Sequence, residues 1–424
     1  MTLRSVAELA SARRASFVSF LLLGHLVLCS IAWVPEYIDR LGVTFAQWGL
    51  ILGLAPLGAI SAIVVAPPLM TVFGVAPLMR VGAILALSAL IPLGFVSNPI
   101  IWAAINILFN FLASLTGVAV NTHGVLLQKK VRESILSGMH AGWSLGAVAA
   151  ATTGGIATLF LSLEAYLVIV ALTTLVGFLV LYRFLLSPGN DGHHEERSSA
   201  GRKPFYRLPS RVWLLALGLL CAVMPELAVF EWSAVLARET GVDVSLRALP
   251  FGLFMVGMIL GRLSISSLAT RFDVHRLSSA GAALAATAML TGIIGAALLS
   301  STSPVAAILW LSGWWLLAGT GVAPLGPTMM LGASSVPGVV TAQAIATLSF
   351  VTQSISIVAK IAIGAVAESE SVAFAFGIPI LALFLGAIIA RVSAESTHPR
   401  DLERINPPTG PLPVMIAEPS DPIR

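Results

Sequence analysis

The sequence predicts an all-α membrane protein of twelve transmembrane helices in two six-helix halves, and three observations carry that expectation. The 424 residues are 57% hydrophobic and only 10% charged, with a mean hydropathy of +0.94, far from the roughly half-apolar, quarter-charged make-up of soluble domains. The apolar residues fall into long blocks of about 20 or more, the length an α-helix needs to cross a hydrocarbon core of about 30 Å. One long hydrophilic gap divides the blocks into two sets of six.

Taken in order, the blocks cover residues 16–38, 45–68, 77–97, 99–125, 135–161 and 164–186, then 211–237, 246–269, 276–300, 303–331, 339–366 and 371–392; they are spans 1 to 12 below. An even number of crossings puts both termini on one side. Of the 24 Lys and Arg residues, Arg40, Arg238 and Arg247 fall on the opposite side and Lys360 inside a span, while all others lie on the side of the termini. The positive-inside rule therefore assigns the termini to the cytoplasm. The opening MTLRSVAELASARR is basic and runs into span 1 with no clean small-residue cleavage site, so span 1 is expected to stay attached.

A net charge of +4 and a pI near 9.4 would suit a nucleic-acid partner if the basic residues clustered. They sit instead in short gaps between spans, so they report topology and no nucleic-acid partner is expected. Cys29 and Cys221 both fall inside spans, where a lone cysteine behaves as a small hydrophobe; no disulfide, metal site or cofactor is implied.

The gap itself, SPGNDGHHEERSSAGRKPFYRLPSR at 187–211, is charged and rich in Gly, Pro and Ser, as a linker is. The expected organisation is thus an N-terminal half over 1–186, a cytoplasmic linker over 187–211, a C-terminal half over 212–392, and a disordered, proline-rich cytoplasmic tail over 393–424. Sliding the first half along the second until Trp33 falls on Trp232 also lays Gly42 on Gly241, Val43 on Val242, Gly53 on Gly252 and Gly58 on Gly257. The two halves read as a parallel repeat.

Span 7, WLLALGLLCAVMPELAVFEWSAVLA at 213–237, holds two acids where acids are expensive. Counting from Trp213 at 1.5 Å per residue puts Glu226 about 20 Å deep and Glu231 about 27 Å deep. A carboxylate in hydrocarbon costs at least ~3 kcal/mol, so such residues face a bundle interior or a watery cavity and serve pathways for ions, protons or solutes. Five residues apart, the two point about 140° away from each other around the axis and are expected to do different jobs. Pro225 removes one backbone hydrogen bond beside Glu226 and loosens the helix there. Glu226 is accordingly the expected proton-coupling site. Lys360 in span 11 lies at the same depth as Glu231, and the two are expected to form an ion pair.

Other spans carry polar or aromatic stripes. His25, Cys29 and Glu36 share one face of span 1; His25 is near mid-depth, whereas Glu36 reaches the outer surface beside Asp39 and Arg40. Asn106, Asn110, Ser114, Gly117 and Asn121 share a face of span 4, and amides in hydrocarbon need a hydrogen-bond partner from a helix, water or solute. Span 10 has Trp310 and Trp314 one turn apart, a pair that fits packing, an interfacial belt or a ligand platform. Gly138, Gly142, Gly146, Ala150 and Gly154 put a small residue at every fourth position of span 5, which suits close helix contact and binds nothing.

Two sets of six helices, a long central loop and cytoplasmic termini resemble the major facilitator superfamily of secondary transporters over the whole membrane part. The segments CSIAWVPEYIDRLGVTFAQWGLILG (29–53), NTHGVLLQKKVRESILSGMHAGWSLG (121–146) and PELAVFEWSAVLARETG (225–241) resemble a bacterial branch near the fucose-permease-like proteins. The superfamily's Gly-x-x-x-Asp-Arg-x-Gly-Arg-Arg loop motif is eroded after span 2, where only Gly74 matches in PPLMTVFGVA, and better kept after span 8, where Arg271 and Arg276 of LATRFDVHR occupy basic positions and Thr270 replaces the acid. Span 5 lacks the Gly-Pro-x-x-Gly-Gly of the drug/proton antiporter branch, since Ala147 follows Gly146. The resemblance implies that spans 1, 4, 7 and 10 line a central cavity and that spans 2, 5, 8 and 11 form the contact between halves, where Gly257 and Gly261 of span 8 would sit. On that basis His25, Trp33, Glu36, Asn106, Asn110, Glu231, Trp310 and Trp314 are candidate cavity residues, and His140, Arg262, Arg271 and Arg276 are candidates for a cytoplasmic gate.

The expected function is a secondary active transporter in a bacterial inner membrane, a monomer that moves a small polar solute by alternating access, coupled to protons. A carboxylate at the position of Glu226 can take up and release a proton as its surroundings alternate between wet and dry. No Gly-x-x-x-x-Gly-Lys-[Ser/Thr] loop is present to bind ATP. The few deep charges favour a neutral or weakly cationic solute over a multivalent anion. Two alternatives stand beside this: a polytopic enzyme acting on a lipid-linked substrate, which would need paired acids or histidines at a membrane face, and a non-transporting sensor built on the transporter fold.

Overall fold

Proline and polar residues interrupt three of the twelve spans in the computed structural model, which describes residues 3–131, 135–186, 208–269, 271–337, 339 and 341–395. Span 1 is α1 (Leu3–Leu28), a 3-10 turn at Ile31–Trp33, and α2 (Val34–Leu41). Sequence reading expects one continuous helix there, but Pro35 has no N–H to donate and instead occupies the first turn of a new helix. Spans 2 to 6 are α3 (Phe45–Phe73), α4 (Val75–Leu93), α5 (Pro99–Val131), α6 (Leu136–Ala157) and α7 (Leu163–Leu181). Spans 7 to 9 are α8 (Ser210–Glu239), α9 (Leu249–Leu268) and α10 (Val274–Ser300). Span 10 breaks at Pro324 into α11 (Pro304–Val322) and α12 (Leu325–Ser334). Span 11 is α13 (Thr341–Ser369), and span 12 is a short α14 (Val372–Ala375) followed by α15 (Gly377–Glu395). Helices are the only regular elements among the described residues. Most of the linker, 187–207, and of the tail, 396–424, lies outside them.

Eleven stretches of described residues are long and apolar enough to cross a membrane. The twelfth span, α6, has the length at 22 residues but spends its positions on glycine, serine, threonine and His140, which lower its hydropathy.

Helix ends are written locally. At the start of α3, Thr44 and Gln47 form a reciprocal capping box, with Gln47 N–H donating to Thr44 Oγ1 (3.3 Å) and Thr44 N–H to Gln47 Oε1 (3.0 Å). Asp273, Ser303 and Ser371 cap α10, α11 and α14 more simply, each side-chain oxygen accepting one backbone N–H of the first turn. Gly42 ends α2 at φ 60° and Gly241 follows α8 at φ 78°. These two positions coincide when the halves are superposed in sequence, and both need the left-handed backbone that only glycine adopts without strain.

The halves meet along two seams. In one, α3 and α13 cross so closely at Gly49 and Gly364 that a Cβ on Gly364 would lie 2.6 Å from the Gly49 Cα. In the other, Gly155 of α6 meets Ser245 in the 3-10 turn ahead of α9, and α6 and α9 then touch through Ala151 and Gly252 and through Ser144 and Arg262. The small-residue stripe of span 5 makes close helix contact as expected but not in this seam, and Gly257 and Gly261 of span 8 do not sit in the seam as the resemblance implied. Gly142 and Gly146 lie against Phe17 and Leu21 of α1, and Gly257 and Gly261 against Leu316 and Thr320 of α11, inside their own halves. The reason is geometric: the small residues admit the backbone of another helix of the same half, α1 against α6 and α11 against α9, while the seam uses the adjacent helix face.

Candidate functional site

Between the halves lies a cavity of about 350 Å³, which continues into a wider vestibule of about 810 Å³; the two share Ala59, Ser114 and Gln353 as walls. The vestibule is lined by the ends of spans 2, 4, 5, 10 and 11 that lead to the termini and linker, including Val64, Asn121, His140, Met330 and Ile345. The cavity therefore opens toward the linker end of the molecule.

The far end is shut. Arg238 at the end of α8 donates to both carboxylate oxygens of Asp39 on α2, at 2.9 and 2.8 Å. Glu368 at the end of α13 accepts the backbone N–H of Phe45 at 2.7 Å, and the Phe45 ring packs edge-on against Trp232 with centroids 5.9 Å apart. Every one of these contacts joins one half to the other.

Glu226, Glu231, Lys360, Asn106 and Asn110 all line the cavity. Glu231 is 4% exposed, and its Oε1 receives the ammonium of Lys360 from span 11, while its Oε2 is buried with no hydrogen-bond partner. Glu226 is half-buried on the cavity wall and makes no hydrogen bond or ion pair among the described residues. The charge that acts on it through space is the Arg262 guanidinium of span 8. Asn110 Nδ2 donates to the Asn106 carbonyl at 2.9 Å and to its Oδ1 at 3.1 Å, so part of the amide stripe of span 4 is satisfied within its own helix.

The remaining cavity candidates stand elsewhere. His25 Nε2 pairs with Thr153 Oγ1 at 3.0 Å inside the N-terminal half. Trp33 is buried against the Tyr166 ring at a centroid distance of 5.9 Å. Glu36 lies at the far end, where Arg40 bridges it (3.0 Å) to Glu164 (2.6 Å). Trp310 is 40% exposed and its Nε1 donates to the Thr291 carbonyl of α10 at 3.0 Å, with Trp314 packed beside it. The two tryptophans follow span 9 rather than the cavity, because an indole that finds its acceptor on the neighbouring helix can leave its face to lipid.

Of the gate candidates, His140 lies exposed in the vestibule, edge-on to Phe20 at 5.2 Å. Arg262 Nη1 donates to Ser144 Oγ across the α6–α9 seam at 2.5 Å. Arg271 and Arg276 are exposed beside the start of α10, and the Arg276 backbone N–H caps onto Asp273 at 2.9 Å.

Sequence reasoning missed the aromatic lining. Tyr37, Trp48, Trp102, Trp143, Phe230 and Phe251 all border the cavity, and Tyr37, Trp48 and Trp102 pack on one another at 5.1 to 6.4 Å between centroids. Residue type could not have singled them out, since aromatic residues in membrane helices serve lipid belts and cores equally.

A two-halved helical bundle around a central cavity, shut at one end and open at the other, is the build of a secondary transporter. The chain belongs to the major facilitator superfamily, whose family model matches residues 15–360. It is 27% identical over 368 residues to an uncharacterized MFS-type transporter of Yersinia pestis, covering 85% of this chain and 91% of that protein. It is likewise 27% identical over 380 residues to an uncharacterized transporter of Sinorhizobium fredii, covering 89% and 97%. Among solved structures the fold is similar to the nucleoside transporter NupG (TM-score 0.69, 13% identity, 92% of this chain and 100% of that one). It is also similar to a D-xylose-proton symporter (TM-score 0.69, 14% identity, 90% and 96%). Membership in this superfamily makes the protein a multi-pass membrane transporter and sets aside the membrane-enzyme alternative. The family model speaks to the superfamily and not to the fucose-permease-like branch.

Proposed function

We propose that the protein is a secondary active transporter of the bacterial inner membrane, working as a monomer with both termini in the cytoplasm, and that it carries a small neutral or weakly cationic polar solute by alternating access with Glu226 as the proton-coupling site. The observation that carries this reading is the unpaired Glu226 carboxylate on the wall of the cavity between the halves. A carboxylate with no fixed partner can exchange its proton with whatever space the cavity opens to, which is what coupling requires. In this orientation the structure is inward-facing: the vestibule meets the cytoplasm, and the Asp39–Arg238 and Phe45–Glu368 contacts close the outside. The proton-symporter likeness in fold agrees with this reading.

Closing the cycle requires the α3–α13 seam to part at Gly49 and Gly364 while the vestibule walls come together. Glu231 and Lys360 then act as a lock between span 7 and span 11, which move as one unit of the C-terminal half. His140 and Arg262 border the path to the cytoplasm and serve as gate residues, with Arg271 and Arg276 anchoring the adjacent loop.

The test uses vesicles from overproducing cells carrying a pH-sensitive dye and a panel of sugars, nucleosides, amino acids and amines. The unaltered protein gives solute-evoked proton movement for at least one class, and Glu226→Gln abolishes it while leaving protein yield intact. Proton movement of equal size in the Gln variant overturns the coupling assignment.

A further inference from the structure

The charges on the cavity wall sum to one uncompensated negative site. Glu231 is neutralised by Lys360 in direct contact, which leaves Glu226 as the unpaired charge among the described lining residues. Aromatic side chains share this wall, among them Trp143 and Phe230, both half-buried. Much of the rest is aliphatic, including Val223, Leu227 and Met255. A carboxylate among aromatic faces in a largely apolar pocket attracts a positive charge twice over, by ion pairing and by the negative faces of the rings. The same wall repels an anion, and although Ser114, Gln353 and the unpartnered Tyr37 Oη and Trp48 Nε1 could serve a neutral solute, only the Glu226 charge distinguishes a cation from it.

We propose that the transported solute is a monovalent organic ammonium ion with an apolar body, held by the Glu226 carboxylate with Trp143 and Phe230 about it, and that this cation and a proton occupy Glu226 alternately. This rests on the reading of the central cavity as the solute site. Each cycle then moves one cation in one direction and returns one proton in the other, because one carboxylate holds either but not both. No bond other than the O–H of the carboxyl is made or broken.

The titratable groups at cavity depth on the elements packed around Glu226 are His25 and Tyr37 on span 1, His140 on span 5, Glu231 on span 7 itself, Arg262 on span 8 and Lys360 on span 11. His25 is held by Thr153, and Glu231 and Lys360 hold each other. Arg262 is tied to Ser144 in the α6–α9 seam and is not part of the cavity wall, although its guanidinium acts on Glu226 through space, and His140 lies out in the vestibule.

The experiment uses the purified full chain in lipid nanodiscs and follows the fluorescence of the cavity tryptophans Trp48, Trp102 and Trp143. Two probes matched in size, 2-phenylethylammonium and 2-phenylethanol, are titrated at mildly alkaline and mildly acidic pH. The ammonium is expected to bind at least about tenfold tighter than the alcohol, the smaller end of what a charge-assisted hydrogen bond contributes, and to weaken as the pH is lowered. Glu226→Gln, with gel-filtration behaviour and melting temperature matching the unaltered protein, is expected to bind both probes alike. Glu226→Asp, which keeps the charge, is expected to keep the preference and guards against a Gln variant that fails to fold. Saturable binding of the alcohol equal to the ammonium overturns the cation proposal and leaves the cavity as the solute site. Ammonium binding undiminished in the Gln variant overturns it as well. No saturable response to either probe overturns both the proposal and the cavity reading beneath it.

Discussion

Glu226 and Glu231 are the same residue type on the same helix, five positions apart and both within the membrane, yet their surroundings have little in common. Glu231 is met by Lys360 from span 11 near the shut end of the cavity. Glu226 meets only open cavity wall and a guanidinium acting at a distance. The role of a membrane-embedded acid is thus set by what the helix across the cavity presents to it, and depth alone does not distinguish a lock from an exchangeable site.

The contrast is broken most forcefully by Lys360→Ala, which strands the Glu231 charge in a site that is 4% exposed. Removing one partner of a buried pair costs about 3–5 kcal/mol, so folded yield and melting temperature in detergent should fall steeply. Combining Lys360→Ala with Glu231→Ala should recover part of the loss; strictly additive losses would show that the two do not support each other. Prying at the shut end comes next. Gly364→Ala places a Cβ 2.6 Å from the Gly49 Cα and 2.7 Å from the Phe45 carbonyl, an overpacking of about 1–3 kcal/mol. It should shift the protein toward an outward-open state, read as faster maleimide labelling from outside of a cysteine placed at Ser30 on the cavity wall. Glu226→Gln should change stability by no more than about 1 kcal/mol, a melting shift far smaller than that of Lys360→Ala. A Gln variant as unstable as the Lys360 variant would erase the difference between the two acids.

Two smaller effects serve as controls remote from both acids. Asp39 is 67% exposed in its pair with Arg238, so Asp39→Asn should cost less than about 1 kcal/mol and lose its effect in high salt. Asp243 lies between spans 7 and 8, where the Ser245 hydroxyl and backbone N–H hold its carboxyl below the ordinary 3.8. A depressed carboxyl contributes stability that is complete above that ordinary value and fades as the pH falls through the folded one. The unaltered protein should therefore lose a little stability on strong acidification that Asp243→Asn does not lose, as read by melting across an acid pH series.

Most of the fold is legible from the sequence because lipid imposes a length and a composition on every span. The breaks at Pro35 and Pro324 are harder to read, since a proline in a membrane helix can kink it, open it or simply be tolerated. The site divides along the same line. Helix rise alone puts Glu231 and Lys360 at one level, and they touch; Pro225 marks the neighbourhood of Glu226. Rotation about the axis is what the sequence leaves open. Trp310 and Trp314 share a stripe that looks the same whether it faces solute or lipid, and only the Thr291 carbonyl on the neighbouring helix settles which. Trp48 and Trp102, by contrast, sit near helix starts where interfacial tryptophans are common, so nothing in their positions points inward.

The low hydropathy of α6 has a consequence for how the protein is made. A helix enters the bilayer from the translocon on the strength of its own apolar residues, and Gly142, Gly146, Ser144 and His140 contribute little to that transfer. The same residues serve the finished molecule, since Gly146 admits the α1 backbone and Ser144 holds Arg262. During synthesis the segment emerges after α1 to α5 and ahead of the strongly apolar α7. Its entry into lipid therefore depends on the surface that α1 already offers, and span 5 is the point at which assembly of the bundle and insertion into the membrane become a single event.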